Sequence, residues 1–442
     1  MNHDATLAEA RSLYEERCRQ ELAVALERTP LYEGWRDSDP GPDRGIDERY
    51  GALPLLTKDD IRAHFPYGLV PRGLDLDAAR ARGEVSFVRT SGTADEAVQN
   101  IWNQRWWDAS ERASWSLNPV SARVATGTHR EAILASALSV GPKSENGLLD
   151  RSARTLGRFL FLNELGSTGQ WPEGHERRIL AEIAEYQPAV LEANPSLLAR
   201  VARRAARDGV EVWQPPLITI TYEFPSSLHM KAIRRVFRSP VVSSYGSTEA
   251  GYVFMECEHG RLHQNTAACR VDMAPLPGDR QDRRIRPGGI GRIAATTFGN
   301  AWCPLVRLEI GDIGRIAEES CPCGRNLGIT LSAVEGRLKS LCIAADGSPV
   351  THGRIDRALA DVDGLEQYRL DQVSPSLVRC AVIGEPGSGA QAARGTREVL
   401  AGVFGPGMSI EVAEVSLLLP EKSGKFLLVQ RSFSLGEAAR VW

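Results

Sequence analysis

The sequence predicts an α/β fold: a large N-terminal domain with parallel-rich sheets and flanking helices, and a small α+β C-terminal domain. Three observations carry that prediction. The chain has 442 residues, more than one ordinary core holds. Between residues 175 and 251 helical and strand patterns alternate, which argues a parallel sheet with helices on its faces. From residue 338 the texture changes to strands, a short helix and Gly/Pro-rich loops. The boundary falls at Arg337–Lys339, giving domains 1–337 and 338–442.

Composition narrows the class of protein. With 53 Lys+Arg against 56 Asp+Glu the net charge is −3, so bulk electrostatics gives no case for nucleic acid or a membrane surface. Hydrophobic residues at 42% and charged residues at 25% exclude disordered and fibrous classes. The start, MNHDATLAEARSLYEERC, is polar and reads as neither signal peptide nor anchor. No stretch approaches the ~20 apolar residues of a membrane span. Eight cysteines are too sparse for a disulfide framework, so the expected address is cytoplasmic.

The elements follow in order. Leu7, Tyr14, Cys18, Leu22 and Leu26 share one face of a helix over 6–28, which Thr29-Pro30 ends. Residues 33–48, rich in Gly, Pro and Asp, read as loop. Thr57 is a candidate N-cap with Asp59 and Asp60 in the first turn. Residues 85–88 form a short strand running into Thr90-Ser91-Gly92-Thr93. Trp102 to Trp115 reads as helix, its aromatics more often core than pocket. Then come a helix (175–186), a strand (189–193), a helix (196–207) opened by Asn194-Pro195 and closed by Gly209, a strand (217–222), a helix (227–237) and a strand (241–244). Residues 290–316 read as short strands with Gly punctuation, and 352–361 as helix. Loops are expected at 384–390 and 405–407.

Several short motifs could carry chemistry. In Thr90-Ser91-Gly92-Thr93 the Gly lets a phosphate approach and the hydroxyls can donate to it, though such runs are also ordinary turns. Tyr245-Gly246-Ser247-Thr248-Glu249 follows a strand end, where α/β sheets bind ligands. Its carboxylate suits Mg²⁺; the competing reading is a helix N-cap by Ser247 or Thr248. Gly311-Asp312 pairs an apolar strand with a turn whose Asp could accept from ribose hydroxyls, or with a plain hairpin turn. Lys339, and Lys425 after Gly424, could each reach a phosphate or remain solvated. No Walker loop, dinucleotide fingerprint, zincin helix or nucleophile elbow is present.

Taken in order, TSGT (90–93), YGSTEAG (245–251), PLVRLEIGDIG (304–314), EGRLK (335–339) and SGKF (423–426) resemble the adenylate-forming superfamily of acyl-CoA synthetases, adenylation domains and luciferases. LPLLTKDDIRAHFPYGLVP (53–71) and CPCG (321–324) are similar to its phenylacetate–CoA ligase branch. The resemblance implies an ATP-dependent, AMP-forming ligase. Thr90, Ser91, Gly92 and Thr93 would form the phosphate loop. Tyr245 would stack near adenine beside Gly246 and Ser247, Thr248 would contact phosphate, and Glu249 would hold Mg²⁺. Asp312 would bind ribose, supported by Arg337. Glu223, in Tyr222-Glu223-Phe224-Pro225, would border the acyl and adenine pockets. Lys339 would be the hinge of a small mobile C-terminal domain, and Lys425 the catalytic lysine.

Cys257, His263, Cys321 and Cys323 make a Cys₃His set on two loops, which suits a closed structural zinc site. His263 is favoured over His259. Cys269 and Cys303 fit no ligand spacing and read as core. Two departures stand out. Ala94-Asp95-Glu96-Ala97 replaces small or basic residues after the phosphate loop, and 344–353 lacks the turn that opens the CoA path in relatives.

The expected activity is adenylation of an aryl or arylacetic acid, with pyrophosphate released and the acyl group passed to a thiol such as CoA. The alternatives are another acid or acceptor: nitrite activation for diazotisation of an aryl amine, or ligation to an amine or carrier protein. A non-catalytic nucleotide-binding relative is a further alternative. The expected cofactors are ATP, Mg²⁺ and structural Zn²⁺, with CoA as candidate acceptor. The expected partners are a small-molecule acid and acceptor, with a homodimer left open.

Overall fold

The computed structural model describes residues 3–90, 97–144, 148–166, 171–279, 284–421 and 424–434. Two compact units emerge, each from two chain segments: 1–123 with 244–333, and 124–243 with 334–442. The second unit's later segment begins at Val334, close to the boundary expected at 337/338.

In the first unit, helix His3–Ala23 is prolonged by the wider turn Val24–Arg28, and Pro30 opens a 3₁₀ turn that runs to Ser38. Together with helix Ile46–Ala52, that turn lies where the sequence suggested loop, because Tyr32 and Tyr50 bury their rings there. The expected start at Thr57 is present as a capping box: Thr57 Oγ1 accepts from Asp60 N–H, and Asp60 accepts from Thr57 N–H at 2.8 Å. Strands Ser86–Arg89 and Gln99–Trp102 pair as a hairpin before helix Gln104–Trp115. Trp106 in that helix is buried and donates its indole N–H to Phe298 O at 2.9 Å, so this ring is core. The rest of the unit is antiparallel sheet. Strand Ile290–Thr297 pairs with Cys269–Ala274 on one side and Leu308–Ile316 on the other; these strands are longer than the sequence suggested. Asp312 therefore sits inside a strand rather than on a turn.

The second unit holds the parallel sheet. Strands Phe159–Phe161, Glu131–Leu134, Val190–Ala193, Leu217–Ile220 and the start of Val241–Ser247 lie side by side, all parallel. Helices His175–Tyr186, Pro195–Asp208 and Ser227–Val236 separate them in sequence, as expected. Pro195 takes the first helical position and Gly209 caps the end at φ +65°. Leu134, Leu160, Leu191, Leu198, Ile218 and Ile233 are wholly or almost wholly buried in the core beneath those helices. Strand 241–247 outruns its expected end at Ser244, because its second half turns to antiparallel pairing with Gly251–Glu256.

Residues 334–442 contribute a four-stranded sheet in which Leu365–Ser374 and Leu377–Gly384 are central. Helix Gly389–Phe404 packs on it. The sequence suggested loop at its start, where Gly387, Gly389 and Pro386 mask the apolar positions Ala392, Leu400 and Phe404. This segment packs within its own unit. Asp356 accepts from Ser227 N–H and Oγ at 2.8 and 2.6 Å, and the Phe224 and His352 rings stack with centroids 3.8 Å apart. Among the described residues, no helix is long and apolar enough to cross a membrane.

Candidate active site and metal centre

Strand 241–247 delivers Tyr245, Gly246 and Ser247 to a tight turn, and Ser247 Oγ accepts from Ala250 N–H at 3.1 Å. No helix follows, so the N-cap reading of Ser247 or Thr248 falls away. A Cβ on Gly246 would lie 2.2 Å from Gly251 O, so only glycine lets the two strands close here. Tyr245 Oη donates to Asp312 Oδ2 at 2.8 Å. Two residues 67 apart, both singled out for the nucleoside, thus meet. Thr248 is held by its carbonyl, which accepts from Asn100 Nδ2 at 3.0 Å.

Glu249 is buried, and Lys58 Nζ stands 3.3 Å from its Oε1. That approach is an ion pair without hydrogen-bond geometry, since Oε1 has no hydrogen-bond partner. A buried carboxylate oxygen left unbonded beside a cation fits a divalent-ion ligand. The same carboxylate charge helps raise the Cys303 thiol, after burial, to about 12. Lys58 escaped the sequence reading because it sits at the first position of a well-capped helix, where a solvated lysine is ordinary. Thr90, at the described end of the phosphate-loop motif, accepts from Val98 N–H through Oγ1 at 3.0 Å and closes the hairpin. Ser91, Gly92 and Thr93 lie outside the described residues.

The second unit carries the other predicted residues. Glu223, just past strand 217–220, is the centre of a polar cluster. Its Oε1 accepts from Asn194 Nδ2 at 3.1 Å and from Phe426 N–H at 3.0 Å, and its Oε2 accepts from Ser196 Oγ. Asn194 and Ser196 flank the start of helix 195–208, so one carboxylate ties two strand ends to the loop of Lys425. Burial pushes the Glu223 carboxyl up from its ordinary range, against the opposing pull of these donors and of the Lys425 ammonium. A Cβ on Gly424 would lie 2.1 Å from Ser136 Oγ, so glycine lets this loop seat. Arg337 ends strand Thr330–Arg337, and Lys339 lies in the following 3₁₀ turn.

The metal reading of the cysteines has a geometric test in the first unit. Ligand atoms of Cys257, His263, Cys321 and Cys323 all lie within 4.8 Å of one another. Cys257 Sγ and Cys321 Sγ are 3.7 Å apart, and Cys323 Sγ is 3.2 Å from His263 Nε2. Tetrahedral zinc with ~2.3 Å thiolate bonds separates its sulfurs by ~3.8 Å. Backbone N–H groups of His259 and Arg325 point at Cys257 and Cys323 sulfur, at 3.4 and 3.5 Å. His263 Nδ1 faces Thr330 Oγ1 at 3.3 Å, an outer partner that would fix the ring for ligation through Nε2. Burial keeps His263 below its ordinary value, hence neutral. Arg325 and Glu258 pair across the two loops at 2.8 Å. His259 is not in the cluster. Cys269 and Cys303 are buried apart from it, as expected.

No known family profile matches the chain. A phenylacetate–coenzyme A ligase of Thermus thermophilus is 25% identical over 346 residues, 75% of this chain and 71% of that protein. This chain is a homologue of the adenylate-forming CoA ligases. Solved structures agree in fold. A 2-hydroxyisobutyryl-CoA ligase, in its postadenylation state with an acyl-AMP, superposes with TM-score 0.71 at 18% identity, covering 98% of this chain and 93% of that one. The amide bond synthetase McbA of Marinactinospora thermotolerans gives 0.54 at 15% identity, over 80% and 70% of the two chains. The adenylate-forming fold thus spans the whole length, including residues 334–442.

Proposed function

We propose that the chain is an ATP-dependent ligase that activates an aryl or arylacetic acid as an acyl-AMP and passes it to a thiol such as CoA. The observation that carries the reading is the hydrogen bond from Phe426 N–H to buried Glu223. It joins, across 203 residues, the two segments that the motif order assigns to the reaction centre. The homology to a phenylacetate–CoA ligase supports the substrate class and the acceptor.

In this reading Tyr245 and Asp312 receive the nucleoside, and Thr90, Ser91, Gly92, Thr93 and Thr248 receive the phosphates. Arg337 supports the ribose contact. Attack of a carboxylate on ATP brings two anions together. Lys425 offsets the charge that develops, most strongly in the transition state. Glu249 would hold Mg²⁺, which supplies neutralisation of the phosphate charge. Lys58 balances Glu249 when the cation is away. The domain 338–442 turns about Lys339 after adenylation and withdraws Lys425. Cys257, His263, Cys321 and Cys323 hold a structural zinc, because a complete Cys₃His shell leaves no position for substrate.

ATP–pyrophosphate exchange across benzoate- and phenylacetate-type acids tests the first half-reaction. AMP release with acid plus CoA, set against nitrite plus an aryl amine, tests the second. AMP formed only with nitrite and amine would reject the thioester reading.

A further inference from the structure

We propose that Glu192 and Tyr222 select the substrate, favouring acids whose apolar part carries an amino or hydroxyl hydrogen-bond donor. The proposal rests on the adenylation reading and goes beyond it by naming a substrate feature and the side chains that read it.

The strand register places Phe161, Ile133, Glu192 and Thr219 in one row across four neighbouring parallel strands. Directly paired residues of parallel strands share a face. The opposite face, with Ala132, Leu134, Leu191 and Ile218, is the core beneath the helices. Glu192 therefore stands on the other face, where Ile133, Ala135 and Phe161 are buried and Val140, Phe159 and Tyr222 pack against them. A carboxylate in a row of apolar side chains is an expensive choice for packing alone.

The preceding row shows how this fold handles a carboxylate with a structural duty. Glu131, next to Val190 and Phe159, is matched by Arg158 Nη1 at 2.7 Å and by His129 Nε2 at 3.1 Å. Glu192 instead accepts a hydrogen bond from the phenol of Tyr222. Tyr222 reaches it from a left-handed backbone, φ +73°, a conformation that aromatic residues seldom adopt and that the surroundings must impose. Strain of this kind gathers at ligand sites. The next residue is Glu223, which positions the Lys425 loop. The pair thus stands one residue from the charge-handling centre, beyond the carboxyl ends of the strands where such sheets take ligands.

An ionised carboxylate only accepts hydrogen bonds, and it accommodates several donors at once. It rewards a substrate N–H or O–H and repels an acceptor-only or anionic substituent. A site built on hydrogen bonds to a substrate group rejects the analogue lacking that group, because its own polar atoms then lose a partner.

The test is ATP–pyrophosphate exchange with benzoate, phenylacetate and their 2-, 3- and 4-amino and hydroxy derivatives. Wild-type enzyme should favour at least one donor-bearing acid over its parent by about 10- to 100-fold in kcat/KM. Glu192→Leu should abolish or invert that preference while the parent acid is still turned over. Tyr222→Phe should weaken it. Exchange with equal kcat/KM for parent and derivatives in the wild type overturns the proposal without any variant. A preference that survives in Glu192→Leu also overturns it. Absence of exchange with every acid would instead remove the adenylation reading, and this proposal with it.

Discussion

The cysteine–histidine cluster of the first unit and the Glu223 cluster of the second are both buried polar gatherings, built in opposite ways. In the first, four donors converge on one another and nothing from the protein stands between them. In the second, a carboxylate stands at the centre and protein donors surround it: Asn194, Ser196 and the Phe426 backbone. The difference separates a permanent resident from a transient one. A site that keeps its ion needs no internal partner for its ligands. A site that meets a passing substrate must satisfy its own charge between turnovers, and Glu223 does so with groups that also fix the Lys425 loop. Loss of the first should unfold; loss of the second should silence without unfolding.

The largest effect expected is at the metal. Purified protein should carry one zinc per chain, and Cys321→Ala should carry none and melt well below wild type. Structural zinc contributes on the order of 10 kcal/mol in small sites, far beyond an ordinary substitution. Metal analysis with thermal melting reads both; stoichiometric zinc in Cys321→Ala would sink the assignment. Next comes Lys425→Ala. Its acyl-AMP formation should fall about 10²- to 10³-fold, roughly 3–4 kcal/mol, with melting unchanged. A melting loss as large as the rate loss would make the lysine structural and break the contrast. Glu223→Gln keeps one oxygen for Phe426 N–H and removes the charge beside Lys425. About a 30-fold loss in kcat, near 2 kcal/mol, is expected with little change in stability.

Elements with local signals were legible in the sequence. Thr57 and Asp60 spell a capping box, Asn194-Pro195 and Gly209 bracket a helix, and the apolar runs of the 190–193 and 217–220 strands are short and continuous. The Cys₃His set was legible because thiols and imidazole at loop spacing have few other uses. Helix 389–404 was hidden because glycines stand at its start, and its burial depends on a sheet formed by distant residues. Lys58 was hidden for a related reason: its partner Glu249 is 191 positions away, and nothing local marks a lysine as paired. Glu192 read as one residue of a strand, since register alone puts it opposite Ile133 and Thr219.

The smallest effect concerns what holds the Glu223 side together. His352 stacks on Phe224, the residue after Glu223, and His229 lies buried on the helix that Asp356 caps. Burial holds both histidines down, to about 3; Arg203 and His352 push His229 further, and Glu335 opposes the shift at His352. Their folded values lie below the unfolded ~6.5. Between those limits the unfolded chain binds protons that the folded chain refuses, so stability falls as pH drops below about 6.5, by roughly 1.4 kcal/mol per unit for each ring. Glu223 and Asp356 work the other way, because burial raises them and the folded chain then keeps protons to higher pH. A paired comparison removes that opposition. His352→Phe keeps the stack on Phe224 and takes no proton. Thermal melts from pH 7 to 5.5 should show wild type losing about 1.4 kcal/mol more than the variant. Parallel curves would mean that the His352 ring is not buried neutral, and that Glu223 and the Lys425 loop are aligned without its help.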